Sequence, residues 1–289
     1  MAIYNPFARR ESHGRYALST YRVLVPLTWL LVVIFGVYYT LHSPDDVKHG
    51  RKIFKQGHVH ITPFSLNTTI TEIYWVLLLL TQLSYVYHLF SNDGAIANAA
   101  ANVGSHFILN NLFTLAWILL WTRGHFWASE IMLAANYLNQ HAAYWRHRAL
   151  PTFVHLSAIA GPYAWTLMAL FWNGAVAVGS NSFPARIAAN IFIWLIFAFG
   201  STHIMATQDD LLGYCLTFLT LALAVKQLAI KVIALQWIFA FVIFAVFLVE
   251  SIYLSSTKYS GRDSLFRRIT EPEPTDRERE PLLNSAANP

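Results

Sequence analysis

A chain of 289 residues that is 56% apolar, 15% aromatic and only 12% charged is not a soluble globular domain, which would carry about a quarter charged residues. The formal charge of +5 comes from basic residues gathered at 1–22, 45–55 and 258–280, beside apolar runs. Charge placed there orients helices in a bilayer, so no nucleic-acid partner is expected. With Cys215 the single cysteine, no disulfide can form within these residues.

In chain order, an N-terminal tail over 1–22 carries Arg9, Arg10, Arg15 and Arg22. The first apolar run, 23–41, follows without a small-residue cleavage site and reads as a retained helix. A loop over 42–71 holds His42, His49, His58 and His60 beside Lys48, Arg51, Lys52 and Lys55, and ends in the sequon Asn67-Thr68-Thr69. In an acidic compartment those imidazoles would gain charge, so a pH-sensing loop is one reading and a solvated loop the other. Seven more runs, near 73–90, 104–122, 126–145, 153–178, 187–205, 211–230 and 232–254, reach or approach the roughly 20 residues that cross a bilayer. The run at 126–145 is the least apolar and needs neighbours to shield it. Period-two alternation is absent, so the spacing predicts an all-α polytopic bundle of about eight transmembrane helices over 23–255.

Residues 256–289 are rich in Pro, Glu and Arg and are expected to form a disordered tail. Lys and Arg outnumber their counterparts on the side that holds both chain ends, which places both termini in the cytosol and Asn67 in the lumen as a possible glycosylation site. Within the tail, Glu278, Leu282 and Leu283 make an acidic dileucine of the ExxxLL kind. It resembles signals read by clathrin adaptors, which would imply a vacuolar or endomembrane location and an adaptor partner.

Polar side chains inside spans are the functional candidates. At 100° per residue His106, Asn110, Phe113, Trp117 and Trp121 share a stripe of the third span. On the fourth, Glu130, Ala134, Tyr137 and His141 share one stripe, and Asn136, Asn139 and Gln140 an adjacent one. On the fifth, Trp165, Ala169, Trp172 and Val176 align beside Asn173. These stripes are either helix-packing glue or the lining of a ligand site. Glu130, Lys226 and Glu250 lie about one turn from predicted helix ends, where long side chains snorkel. His88, His106, His141, His155 and His203 fall at one depth, which suits interfacial rings or a metal or haem group. None has tight ligand spacing, so no metal site is assigned, and no cofactor is identified.

The segments Asn5-Pro-Phe-Ala-Arg-Arg10, Pro26-Leu-Thr-Trp29, Ser105-His-Phe-Ile-Leu-Asn-Asn111, Gly161-Pro-Tyr-Ala-Trp165 and Phe171-Trp-Asn-Gly174 resemble a family of fungal multipass membrane proteins known only as a domain of unknown function. A more distant likeness is to the TspO/translocator-protein (tryptophan-rich sensory protein) family. It rests on Asn111, Trp117-Ile-Leu-Leu-Trp121, Ser129, Met132-Leu133, Pro162-Tyr163, and the spacing of Trp165 and Asn173. That resemblance would cover 20–178, leaving 187–254 as extra helices, and implies a bundle that binds porphyrins or sterol-like ligands. Asn110, Trp117, Trp121, Trp165, Trp172 and Asn173 are the candidate ligand-lining residues, since aromatic walls with a few convergent polar groups suit a flat hydrophobic ligand.

The expected function is therefore binding or transport of a hydrophobic, tetrapyrrole-like or sterol-like small molecule. Two alternatives stay open. One is an intramembrane lipid hydrolase using Thr114 or Ser129 with His106 or His141. The other is a non-catalytic membrane assembly or trafficking factor. No catalytic set is recognisable from spacing.

Overall fold

The computed structural model describes residues 6–8, 10, 12–147, 150–180, 182–231 and 235–260. Among them the regular elements are helical: α1 (Arg15–Leu41), α2 (Ile53–Val59), α3 (Thr68–Leu89), α4 (Gly94–Asn102), α5 (Gly104–Thr122), α6 (Phe126–Arg146), α7 (Thr152–His155), a π-helical turn (Leu156–Ala160), α8 (Gly161–Ala177), α9 (Phe183–Thr207), α10 (Asp210–Ile230) and α11 (Gln236–Ser260). Each of the eight apolar runs carries a long helix. Six are long and apolar enough to cross a membrane as they stand, and a seventh counts if α4 and α5, bent by 45° where they meet, form one broken span. The helix at Phe126–Arg146 does not qualify on its own because it carries too many polar side chains, of which Ser129, Asn136 and Gln140 are buried in the bundle.

The long helices alternate in direction. The start of α1 and the finish of α11 lie at one end, here called proximal, where Phe7 O accepts from Arg146 Nη1 (3.1 Å), Tyr144 pairs with Thr207 (2.6 Å) and Lys258 pairs with Asp210. The run Thr152–Ala177 is the central one, with 78% of its apolar window buried inside the protein, against 22% for α1 and 28% for the last span. The outer helices therefore present most of their apolar surface outward, as a bilayer requires.

Local sequence explains the central helix's irregular start. Pro162 has no N–H to give the turn before it, and the chain widens into the π-helical turn there. Gly161 lets α3 approach closely: a Cβ there would lie 2.5 Å from Leu78 Cδ1. Tyr74 Oη fixes the contact by donating to Gly161 O at 2.8 Å.

At the distal end a buried non-helical strap, Thr62 to Leu66, lies against the last two helices. Its backbone is satisfied by side chains, as buried irregular chain must be. Gln227 Nε2 donates to Thr62 O and Ser65 O (3.2 and 3.1 Å), and Gln236 Nε2 donates to Pro63 O at 3.1 Å. The sequon residue Asn67 caps α3 by accepting from Ile70 N at 3.1 Å, while its own N–H donates to Ala222 O at 2.9 Å. Ala222 lies about two turns before α10 ends, so Asn67 sits within the wall of the bundle. Glu278, Leu282 and Leu283, with the tail beyond 260, lie outside the described residues.

Candidate functional site

Five tryptophans from three helices form one contiguous cluster. On α5, Trp117 and Trp121 stack one turn apart with ring centroids at 6.0 Å. On α8, Trp165 and Trp172 meet them: Trp117 lies 5.8 Å from Trp165, and Trp121 lies 4.9 Å from Trp172. Trp75 of α3 joins Trp165 at 5.0 Å. Edge-to-face contacts of this kind add about 0.5–1.5 kcal/mol each beyond area burial.

The distal half of the cluster is closed by α2. Trp121 Nε1 donates to Ile53 O at 2.9 Å, and Gln56 Nε2 donates to Trp121 O at 2.9 Å. Gly57 sits directly on Trp172, where a Cβ would lie 2.6 Å from Cζ2. Only glycine allows α2 this close.

The other half borders open space. A cavity of about 420 Å³ lies between α1, α3 and α5, with Trp75, Trp117 and Trp165 on its inner wall and Ile53 and Phe54 at its distal end. Its lining is apolar apart from Thr40, Glu72 and the indole N–H groups. Val37, Leu41 and Val76 line it and are 52%, 57% and 56% exposed, so it opens sideways between two membrane-spanning helices. Gly36 faces it with nothing nearer a built Cβ than Ile118 Cδ1 at 4.0 Å. Trp117 Nε1 is buried and has no hydrogen-bond partner among the described residues, which a membrane protein tolerates only at a cost.

The structure thus divides the six candidate residues. Trp117 and Trp165 line the cavity, and Trp121 and Trp172 pack behind them under α2. Asn110 lines a small crevice next to the cavity, toward mid-bilayer. Asn173 lies away from both. It accepts from Ser129 Oγ (2.8 Å) and donates to Phe126 O (3.0 Å) and to Glu130 Oε2 (2.8 Å), so it pins α8 to the first turn of α6. The snorkelling expectation for Glu130 is corrected by the same contacts: its carboxylate turns inward, into the space left by Gly174, whose built Cβ would lie 3.1 Å from Oε1. Glu250 likewise turns inward to pair with Ser201 of α9. Sequence reasoning missed Trp75, Glu72 and the whole α1 wall. The visible signal was Trp75 and Gln82, seven residues apart on one face of α3.

Buried amides and hydroxyls tie α5, α6 and α8 together. Asn136 Nδ2 donates to Asn110 Oδ1 at 3.0 Å and reaches Thr166 Oγ1 at 3.4 Å, while Asn111 Nδ2 donates to Thr28 Oγ1 at 3.3 Å. The five span histidines lie toward the proximal end, each with its own partner. His106 pairs with Asn139 (2.8 Å), His141 with Tyr163 (2.7 Å) and His155 with Asp209 (2.6 Å). His88 and His203 contact the backbone oxygens of Ser84 and Phe199. No group of three metal-capable side chains occurs among the described residues. Burial alone would push the Asp209 carboxyl up, yet His155 beside it and the Leu212 N–H hold it below the usual range. Ser129 spends its hydroxyl on Phe126 O and Asn173, so it is bonded to neither His106 nor His141.

The last three helices carry a match to a known family model. Residues 186–283 match the family model of a fungal protein of unknown function, DUF1774. The DUF1774 match takes in most of α9 and all of α10 and α11, including Gln227 and Gln236, which hold the Thr62–Leu66 strap. It lies entirely beyond the segments within 5–174 that carry the resemblance to such a family. No curated protein and no solved structure matches the chain. The likeness to the TspO/translocator-protein family therefore rests on its short motifs alone.

Proposed function

We propose that this chain is a multipass endomembrane protein that binds, or moves, a hydrophobic small molecule of sterol-like or tetrapyrrole-like character in the lateral cavity. The observation that carries this reading is the apolar space of about 420 Å³ walled by Trp75, Trp117 and Trp165. Pockets for small molecules are concave and mostly apolar, with a few placed polar groups, and occur between helices of bundles. A mouth between α1 and α3 admits a ligand from the bilayer without crossing water.

The hydrolase reading has less support, since no hydroxyl–imidazole pair joins Ser129 to either proposed base. Orientation follows the charge bias, with the proximal end in the cytosol. There Glu278, Leu282 and Leu283 would be available to a clathrin adaptor and would direct the protein to the vacuole. A tagged Leu282→Ala/Leu283→Ala chain should then leave the vacuolar membrane, and unchanged localisation would overturn the sorting claim.

The binding claim is tested by titrating the purified protein with a porphyrin or a sterol and following tryptophan emission. Saturable quenching is expected, reduced in Trp165→Ala and weakened in Gly36→Leu, whose side chain intrudes into the cavity. Quenching that is linear, or identical in Gly36→Leu, would refute it.

A further inference from the structure

At the inner end of the lateral cavity lies a second, much smaller space of about 10 Å³, room for about one water. The two share Val32, Trp75 and Trp165 as a common wall. Beyond that wall the lining changes character. Gln82, Asn110, Asn111 and Thr114 converge there from α3 and α5, closed off by Leu78 and Pro162. The position along α3 is telling, because Glu72 sits at the distal rim and Gln82 lies about 15 Å further in, near mid-bilayer.

Hydrogen bonding in this niche is incomplete in one specific way. Gln82 is only 3% exposed, and its Oε1 has no partner among the described residues. Asn110 Nδ2 donates to Asn111 Oδ1 at 3.4 Å, and Asn111 Nδ2 donates to Thr28 Oγ1 at 3.3 Å. Each of these amides carries a second N–H able to donate. The niche therefore offers an unmet acceptor beside spare donors. A hydroxyl, donor and acceptor in one atom, complements that pattern. A carboxylate does not, because no Lys, Arg or His lines the niche and it would face the Gln82 oxygen. An ammonium finds no carboxylate there.

We propose that the niche is the recognition end of the cavity for a neutral, hydroxyl-headed lipid. The lipid enters sideways between α1 and α3, lays its apolar body along Trp75, Trp117 and Trp165, and turns its hydroxyl inward to donate to Gln82 Oε1. This inference rests on the lateral cavity being a ligand site. It adds the headgroup class, the neutral charge and an inward orientation. A site with polar groups near mid-bilayer and an apolar mouth draws the hydroxyl away from the interface where it rests in the free membrane. Such a reversal favours a carrier or extractor of the lipid over a passive anchor.

The experiment uses the full chain in lipid nanodiscs at pH 7, with tryptophan emission quenched by three probes of equal chain length: 11-bromoundecan-1-ol, 1-bromoundecane and 11-bromoundecanoate. The alcohol is expected to quench saturably and at least about tenfold more tightly than the bromoalkane or the carboxylate. Gln82→Leu should abolish that preference while leaving the bromoalkane's quenching in place. Gly36→Leu should weaken saturable quenching by all three. Saturable, Gly36→Leu-sensitive quenching with no preference for the alcohol in the unmodified chain means that the niche holds water only. The inference is then overturned and the cavity reading stands. Quenching that is linear and insensitive to Gly36→Leu overturns the cavity reading itself, and the headgroup inference with it. The headgroup comparison is made in the unmodified chain, so it does not depend on the Gln82 variant folding.

Discussion

The two halves of the tryptophan cluster are built from the same residue type and both draw on α5 and α8, with Trp75 of α3 added to one, yet one is sealed and the other open. Around Trp121 and Trp172 the short helix α2 comes down onto the rings: Ile53 O takes the Trp121 N–H, and Gly57 has no side chain to hold the helix off. Around Trp75, Trp117 and Trp165 the facing helix α1 presents Val32, Gly36 and Val37, which are too small to fill the gap. Tryptophan in a membrane bundle is thus not in itself a pocket or a core. What decides between them is the size of the residue opposite: α2 comes down onto Trp121 and Trp172 at Gly57, while α1 leaves a gap facing Trp117 and Trp165.

That contrast can be broken most severely at Gly57. In Gly57→Leu the new side chain collides with Trp172, and overpacking of this kind costs about 3 kcal/mol at the upper end. Thermal unfolding should shift down clearly, and the Trp121 emission should red-shift as α2 lifts. An unshifted transition would mean that α2 does not seal this half.

Asn173→Ala should cost about 2 kcal/mol, because it leaves the Glu130 carboxylate and Ser129 without their shared partner. Chemical denaturation in mild detergent measures this. Glu130→Gln, which keeps an acceptor for Asn173, should cost much less, and equal losses would contradict the inward placement of Glu130.

A smaller effect follows from His60 at the end of α2, which packs on Phe126 at 4.9 Å and faces Arg51 at 3.4 Å. Burial, and then the Arg51 charge, lower its pKa below 6.5. The folded chain takes up this proton less readily than the unfolded one. The associated stability is therefore complete above pH 6.5 and lost as pH falls through that value toward the folded pKa. Because His60 is only partly buried, the melting temperature should fall by only on the order of 1 °C between pH 7 and pH 5. His60→Gln should flatten that part of the slope, and an unchanged slope would show that the loop's stability does not respond to acid through His60.

The helices were legible because a bilayer demands long apolar runs, and each run at 23–41 through 232–254 carries one. The polar stripes of α5 and α6 were also legible from periodicity, since His106, Asn110, Asn136 and Gln140 all turn into the bundle. The cavity was not. It depends on a small residue of α1, Gly36, and on a short helix without an apolar run, α2, whose Ile53 and Phe54 close its distal end. Helical periodicity reports which face of one helix is buried and is silent on which helix lies opposite. The inward turn of Glu130 and Glu250 escaped notice for the same reason, since nearness to a predicted helix end says nothing of Gly174 or Ser201 across the interface.

The smallest structural perturbation carries the most direct functional test. Gly36→Leu adds a side chain into open space and should change stability by no more than about 0.5 kcal/mol. Both proteins would be purified in mild detergent and their co-purifying small molecules compared by untargeted mass spectrometry. A hydrophobic compound held stoichiometrically by the unmodified chain and lost from the stable Gly36→Leu chain is the expected result. Equal retention by both, or no retained compound in the unmodified chain, would contradict a ligand site between α1 and α3.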